Sequence, residues 1–136
     1  MLVLILVILI CMLLHMLCVR GRGNHPGMAA FRGKYYAHRG LHDENKPENS
    51  MAAFAAALEK GYGIEFDLHL LKDGTLAVMH DSDLKRTTGQ EGTMEDLTAR
   101  DLTNYHLGGT DQVIPTFRQV LDLFQGEAPL IIELKT

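Results

Sequence analysis

Gly63-Ile-Glu-Phe-Asp-Leu-His-Leu-Leu71 is the stretch on which the reading of the fold turns. Apolar and polar side chains alternate through it, the period of a β-strand. Lys72-Asp-Gly-Thr75 reads as a turn, and Leu76-Ala-Val-Met-His80 as a second strand. Upstream, Lys34-Tyr-Tyr-Ala-His38 is a short strand that Arg39-Gly40 ends. Asn49 or Ser50 caps a helix whose apolar positions Met51, Phe54, Ala55 and Leu58 keep helical spacing, and Gly61 stops it. Downstream, Thr93-Met-Glu-Asp96 opens a short helix. Thr116 and Gln119 form a capping box before Phe117, Val120, Leu121 and Phe124, and Leu130-Ile-Ile-Glu-Leu134 is a last strand. Strand, helix, strand, repeated, predicts an α/β domain with a mainly parallel sheet.

Strands of a parallel sheet are covered on both faces and are expected to be apolar throughout. Glu65 and Asp67, which share one strand face, and Glu133 break that rule. A single acidic residue on a strand reads as solvent-facing. Two strands carrying carboxylates, each between flanking hydrophobics, point instead to a site, because buried carboxylates need a partner. Three converging oxygen donors suit a hard divalent cation, Mg2+ or Ca2+. His38 and His80 each end a strand, where catalytic groups gather in α/β folds. A two-residue hairpin at Asp73-Gly74 places His80 opposite Asp67, and a parallel arrangement sets both at the same strand ends.

Residues 1–19, MLVLILVILICMLLHMLCV, are apolar except for His15. As a helix they reach roughly 28 Å, about a bilayer's hydrocarbon core. No basic residue precedes the run and no small-residue cleavage pattern closes it, so a retained single-pass anchor is expected rather than a signal peptide. Basic residues follow the run, which puts the body on the cytoplasmic side. Cys11 and Cys18 both lie in this run, so no disulfide framework supports the body, and they are read as lipid-facing. Residues 20–33, with four glycines and a proline, form a linker in which His25 is solvated. The rest, 34–136, is the folded domain. Residues 37–136 hold nine basic and seventeen acidic side chains, a balance that argues against nucleic acid as a partner.

His38-Arg-Gly40, Pro47-Glu-Asn-Ser50, Gly63-Ile-Glu-Phe-Asp67, Lys72-Asp-Gly74, His80-Asp81, Arg86-Thr-Thr88 and Ile132-Glu-Leu-Lys135 occur in one order. That ordered set resembles the glycerophosphodiester phosphodiesterase family, whose members are (β/α)8 TIM barrels. The resemblance runs from about Tyr35 to the last residue. It implies Glu65, Asp67 and Glu133 as metal ligands, His38 and His80 as catalytic acid and base, and Arg39 and Lys135 as phosphate contacts. It further implies hydrolysis of a small-molecule glycerophosphodiester to sn-glycerol 3-phosphate and an alcohol. The Pro47-Glu-Asn-Ser50 motif is explained by its helix start, with no role for Glu48. His42, His69 and His106 match no catalytic position, although His69 shares the strand face of Glu65 and Asp67 and so is a candidate for a supporting role. A helical HD-type phosphohydrolase does not fit, since His80-Asp81 ends a strand.

A complete barrel takes about 250 residues, and residues 34–136 suffice for about four strands. The expectation is therefore the N-terminal part of a (β/α)8 barrel preceded by one transmembrane helix, in a sequence that is a piece of a longer enzyme. The competing expectations are a non-catalytic membrane-anchored remnant or binding protein of the same fold, and a lysophospholipase D-type activity.

Overall fold

The decisive stretch forms strand β2, Gly63–Leu70, and every other strand pairs with it. The computed structural model describes residues 2–19 and 25–135. β1 (Tyr36–His38) runs parallel to β2 with His38 opposite Glu65, and β4 (Leu130–Leu134) runs parallel with Glu133 opposite Asp67. β3 (Leu76–Val78) returns antiparallel, Val78 opposite Leu68. The sheet is therefore parallel except for this one hairpin.

The hairpin departs from the two-residue expectation. Leu71 N–H donates to Thr75 O at 2.8 Å, which leaves residues 72–74 as a three-residue loop with Gly74 at φ +84°. A left-handed glycine at the end of such a loop is the common three-residue solution. The extra residue shifts the register by one. Met79, not His80, lies opposite Asp67, its N–H donating to Asp67 O at 3.2 Å. Arg39 N–H donates to the preceding carbonyl on that edge, Glu65 O, at 2.8 Å. β1 and β3 thus line the same edge of β2 and run toward each other. Their ends, with His38 and His80, meet at the level of Glu65 and Asp67.

The two faces of β2 differ. Ile64, Phe66 and Leu68 are buried against α2 (Met51–Glu59) and α4 (Phe117–Phe124). Phe66 packs tilted against Phe54 and Phe117, with ring centroids 5.6 and 6.1 Å away. Both helices start where their sequences say. Ser50 Oγ accepts from Ala53 N–H at 3.1 Å, so Ser50 rather than Asn49 is the cap of α2. Thr116 and Gln119 close the capping box of α4. Glu65, Asp67 and His69 occupy the opposite face.

Residues between β3 and α4 have little regular structure, a four-residue helix α3 (Lys85–Thr88) and three 3-10 turns, of which Met94–Asp96 is the short helix expected from Thr93 onward. They build a second apolar cluster, Leu84, Met94, Leu97, Leu102, Leu107 and Ile114, over Leu71, Ala77 and Met79.

The structure comprises two compact units, Met1–Arg32 and Gly33–Thr136. In the first unit, α1 (Leu2–Val19) is helical as expected, and its side chains from Val3 onward are exposed. Among the described residues no helix is long and apolar enough to cross a membrane. The expected transmembrane anchor over 1–19 is thus not borne out as a span among the described residues, 2–19. The expected linker holds a 3-10 helix, Pro26–Ala30, in which His25 Nδ1 accepts from Gly27 N–H at 3.1 Å. His25 is a cap, a correction to its reading as a purely solvated residue. The linker residues 20–24 lie outside the described residues.

Candidate metal and phosphate site

Oxygen atoms of Glu65, Asp67 and Glu133 lie within 4.8 Å of one another. The register explains the meeting: Asp67 and Glu133 are direct partners on neighbouring strands, and Glu65 is two residues from Asp67 on the same face. Burial is graded, with Asp67 side chain 2% exposed, Glu65 23% and Glu133 56%. Glu65 Oε2 is buried and has no hydrogen-bond partner within the protein. An unpaired buried carboxylate oxygen is costly, and a cation removes that cost. The donor set, oxygen only and three negative charges, fits a hard divalent ion.

One positive group of the chain already sits among these oxygens. Lys135 Nζ is 2.6 Å from Glu133 Oε1 and 3.0 Å from Asp67 Oδ1. The hydrogen bond to Glu133, reinforced by Asp67, raises the Lys135 pKa above its ordinary value against the opposing effect of burial. Lys135 was expected as a phosphate contact; it bridges two of the carboxylates.

His38 stands at the rim, 69% exposed, with Nε2 3.7 Å from Glu65 Oε2. His80 Nδ1 is 2.5 Å from Asp81 Oδ1. A carboxylate only accepts, so Nδ1 carries the proton and Nε2 is left for exchange. Asp81 is in turn held by Arg86 Nε at 2.5 Å, and that contact, assisted by His80 and opposed by burial, lowers its pKa to about 2.

Arg86 leads back to the first strand. Its Nη2 donates to Glu48 Oε1 at 2.7 Å, and Arg39 Nη1 donates to the same oxygen at 3.1 Å. Burial pushes the Glu48 carboxyl up, but Arg86 and Arg39 outweigh it and hold it below its ordinary value. Arg39 Nε is buried and unpartnered within the protein, a donor available to an anion. Arg39 has φ +55°, and Gly40 follows at φ +85°, where a Cβ would lie 2.8 Å from Ala53 Cβ. The chain turns sharply there onto α2.

Two participants escaped the sequence reading, and a third, His69, was expected only as a candidate for a supporting role. Glu48, dismissed with its motif, joins Arg39 to Arg86. Asn49, weighed only as a cap, is 1% exposed and its Nδ2 donates to Asp67 Oδ2 at 3.5 Å. His69, 3% exposed, has Nδ1 2.7 Å from Glu95 Oε1 and Nε2 3.4 Å from the His80 carbonyl, while Glu95 Oε2 accepts from Ser82 Oγ at 2.6 Å. His69 supports the chain at His80 directly and at Ser82 through Glu95. His106 Nδ1 instead faces Thr110 O, within its own loop.

Comparison with known proteins gives the same picture. The chain is 40% identical over 110 residues to a glycerophosphodiester phosphodiesterase of Bacillus altitudinis, covering 75% of this chain and 44% of that protein. It is 36% identical over 118 residues to lysophospholipase D GDPD1 of Rattus norvegicus, covering 77% and 37%. It superposes, with a TM-score of 0.69 and 27% identity, on a phosphodiesterase of Oleispira antarctica solved with the product sn-glycerol-3-phosphate, covering 79% of this chain and 46% of that one. The chain thus spans less than half the length of the curated relatives it matches. Its α/β fold corresponds to part of the barrel of such structures. The model of the glycerophosphoryl diester phosphodiesterase family matches residues 38–136, from the first site histidine through the last strand, and this chain belongs to that family.

Proposed function

We propose that this chain carries site residues of a metal-dependent phosphodiesterase that hydrolyses glycerophosphodiesters to sn-glycerol 3-phosphate and an alcohol. The observation that carries the reading is the meeting of Glu65, Asp67 and Glu133 at the strand level where β1 and β3 deliver His38 and His80.

In this reading His38 takes the proton of the glycerol hydroxyl next to the phosphodiester, and that oxygen attacks phosphorus. Holding both on one substrate makes the attack intramolecular. The bond to the alcohol breaks as the cyclic phosphate forms, and His80 Nε2 gives its proton to the departing oxygen. In the second half, His80 takes a proton from water, the water oxygen adds to phosphorus, and the ring oxygen leaves with the proton held on His38. Diester plus water becomes monoester plus alcohol. Asp81 keeps the His80 proton on Nδ1, so that Nε2 does the transfer. Arg39 Nε and Lys135 Nζ donate to the phosphoryl oxygens as charge builds there. A divalent cation, Mg2+ or Ca2+, held by Glu65, Asp67 and Glu133 supplies further stabilisation of that charge when bound.

The test is release of glycerol 3-phosphate from glycerophosphocholine by the full chain, with Mg2+ or Ca2+ and with EDTA. Release that EDTA abolishes is expected. Cation binding without release favours a non-catalytic protein of the same fold. The similarity to a lysophospholipase D supports a second substrate, lysophosphatidylcholine, from which choline release is measured in parallel.

Membrane attachment through residues 1–19, with the body on the cytoplasmic side, is proposed from the sequence. It is supported by the apolar run, interrupted only by His15, and by Arg20, Arg22, Arg32 and Lys34 after it. Retention in the carbonate-washed membrane fraction, with the body open to protease only after lysis, is the expected result. Recovery in the soluble fraction contradicts it.

A further inference from the structure

Asn49 adopts a left-handed backbone, φ +58°, at the position before the cap of α2. Its N–H donates to Arg39 O at 2.9 Å, and Arg39 N–H reaches β2 at Glu65 O, so the residue is tied to the strand that bears two of the carboxylates. Glycine holds such a backbone without strain, and Ser50 does the capping. Neither the turn nor the helix therefore requires a carboxamide here. The side chain is nonetheless 1% exposed, and its Oδ1 is buried with no partner within the protein. Burying an unpaired acceptor is a cost that a purely structural position has no reason to carry.

The other end of the carboxamide supplies the reason. Nδ2 donates to Asp67 Oδ2 at 3.5 Å, while Asp67 Oδ1 faces the positive charge of Lys135 at 3.0 Å. The two oxygens of the most buried carboxylate are thus divided, one toward an amide donor and one toward a cation. The reversed amide would set Oδ1 against Asp67 Oδ2, two acceptors face to face, so only the donating orientation is favourable. At 3.5 Å the bond is at its outer limit, and its effect is on orientation more than on strength.

We propose that Asn49 is a positioning residue of the cation site: its NH2 group fixes the Asp67 carboxylate so that the remaining oxygen is presented to the ion. The proposal rests on the reading of Glu65, Asp67 and Glu133 as cation ligands. Supporting partners of metal ligands commonly change affinity 10- to 100-fold when removed.

Calorimetric titration of Mg2+ and of Ca2+ into the full chain tests it without any turnover. Asn49→Gly, which keeps the left-handed backbone, is expected to weaken binding about tenfold or more. Ser50→Ala, which removes the adjacent cap, is expected to leave affinity unchanged. Equal losses in both variants reduce Asn49 to a structural role and overturn the proposal, as does unchanged affinity in Asn49→Gly. If Asn49→Gly does not fold, the wild-type protein decides. Its Asn49 side-chain NH2 resonances are expected to shift during the Mg2+ titration with the affinity seen by calorimetry, and resonances that stay fixed overturn the proposal. A wild-type chain that binds neither ion, or an Asp67→Asn chain that binds as wild type does, overturns the cation site itself and this inference with it.

Discussion

The two faces of β2 have opposite characters although their residues alternate one by one. Ile64, Phe66 and Leu68 disappear into a helix-covered core, and each is replaceable in kind by another hydrophobic of similar volume. Asp67 and His69 are nearly as buried and Glu65 is partly exposed, but this face carries polar groups with specific surroundings. Asp67 engages Asn49 and Lys135, His69 engages Glu95 and the His80 carbonyl, and Glu65 keeps one oxygen unpaired. One face therefore holds the fold and the other holds the chemistry, at positions only one residue apart. Stability and cation binding are expected to respond to different substitutions on the same strand.

The largest separation comes from Phe66→Ala. Removing a fully buried aromatic between Phe54 and Phe117 costs about 3–5 kcal/mol, read from urea unfolding. Asp67→Asn keeps the shape and removes the charge. It is expected to weaken Mg2+ binding at least about 100-fold, more than loss of a supporting residue does, while moving the urea midpoint far less than Phe66→Ala. A large stability loss in Asp67→Asn with cation affinity intact breaks the comparison. Thr116→Ala removes half of the α4 capping box and is expected to cost about 1 kcal/mol with no change in cation affinity.

The smallest effect belongs to the rim. Arg86, the main cause, holds the Asp81 pKa down to about 2 from an ordinary 3.8. A depressed acid adds stability that is complete above the ordinary value and is lost as pH falls toward the depressed one. The difference in urea midpoint between wild type and Asp81→Asn is therefore expected to be constant above about pH 5, to fall through pH 4 to 2, and to vanish only by about pH 1. Because Arg86 is half exposed, the difference is small and shrinks with salt. A difference that does not shrink between about pH 5 and pH 2 contradicts the pairing.

Much of this was legible in residue order because the signals were local. The alternation in β2, the capping box at Thr116 and the apolar run of β4 each sit within a few residues, and β4 formed with the expected bounds. The carboxylates stood out because charge is expensive in a parallel strand. The hairpin register was missed by one because a three-residue and a two-residue turn differ only in whether Lys72 belongs to the loop. Residues 82–115 were mostly silent, since their buried side chains follow no helical or strand period. Glu48, Asn49 and His69 acquire their roles from partners 9 to 38 residues away, which local pattern does not report.

The central claim is that three acidic side chains from two neighbouring strands hold one ion. Anomalous diffraction from crystals of the chain soaked in Mn2+, a stand-in for Mg2+, addresses it directly. A single peak about 2.0–2.6 Å from one oxygen each of Glu65, Asp67 and Glu133, with Lys135 Nζ displaced from between Asp67 and Glu133, is the expected result. No peak at saturating Mn2+, or a peak elsewhere with Lys135 still bridging the two carboxylates, contradicts the account.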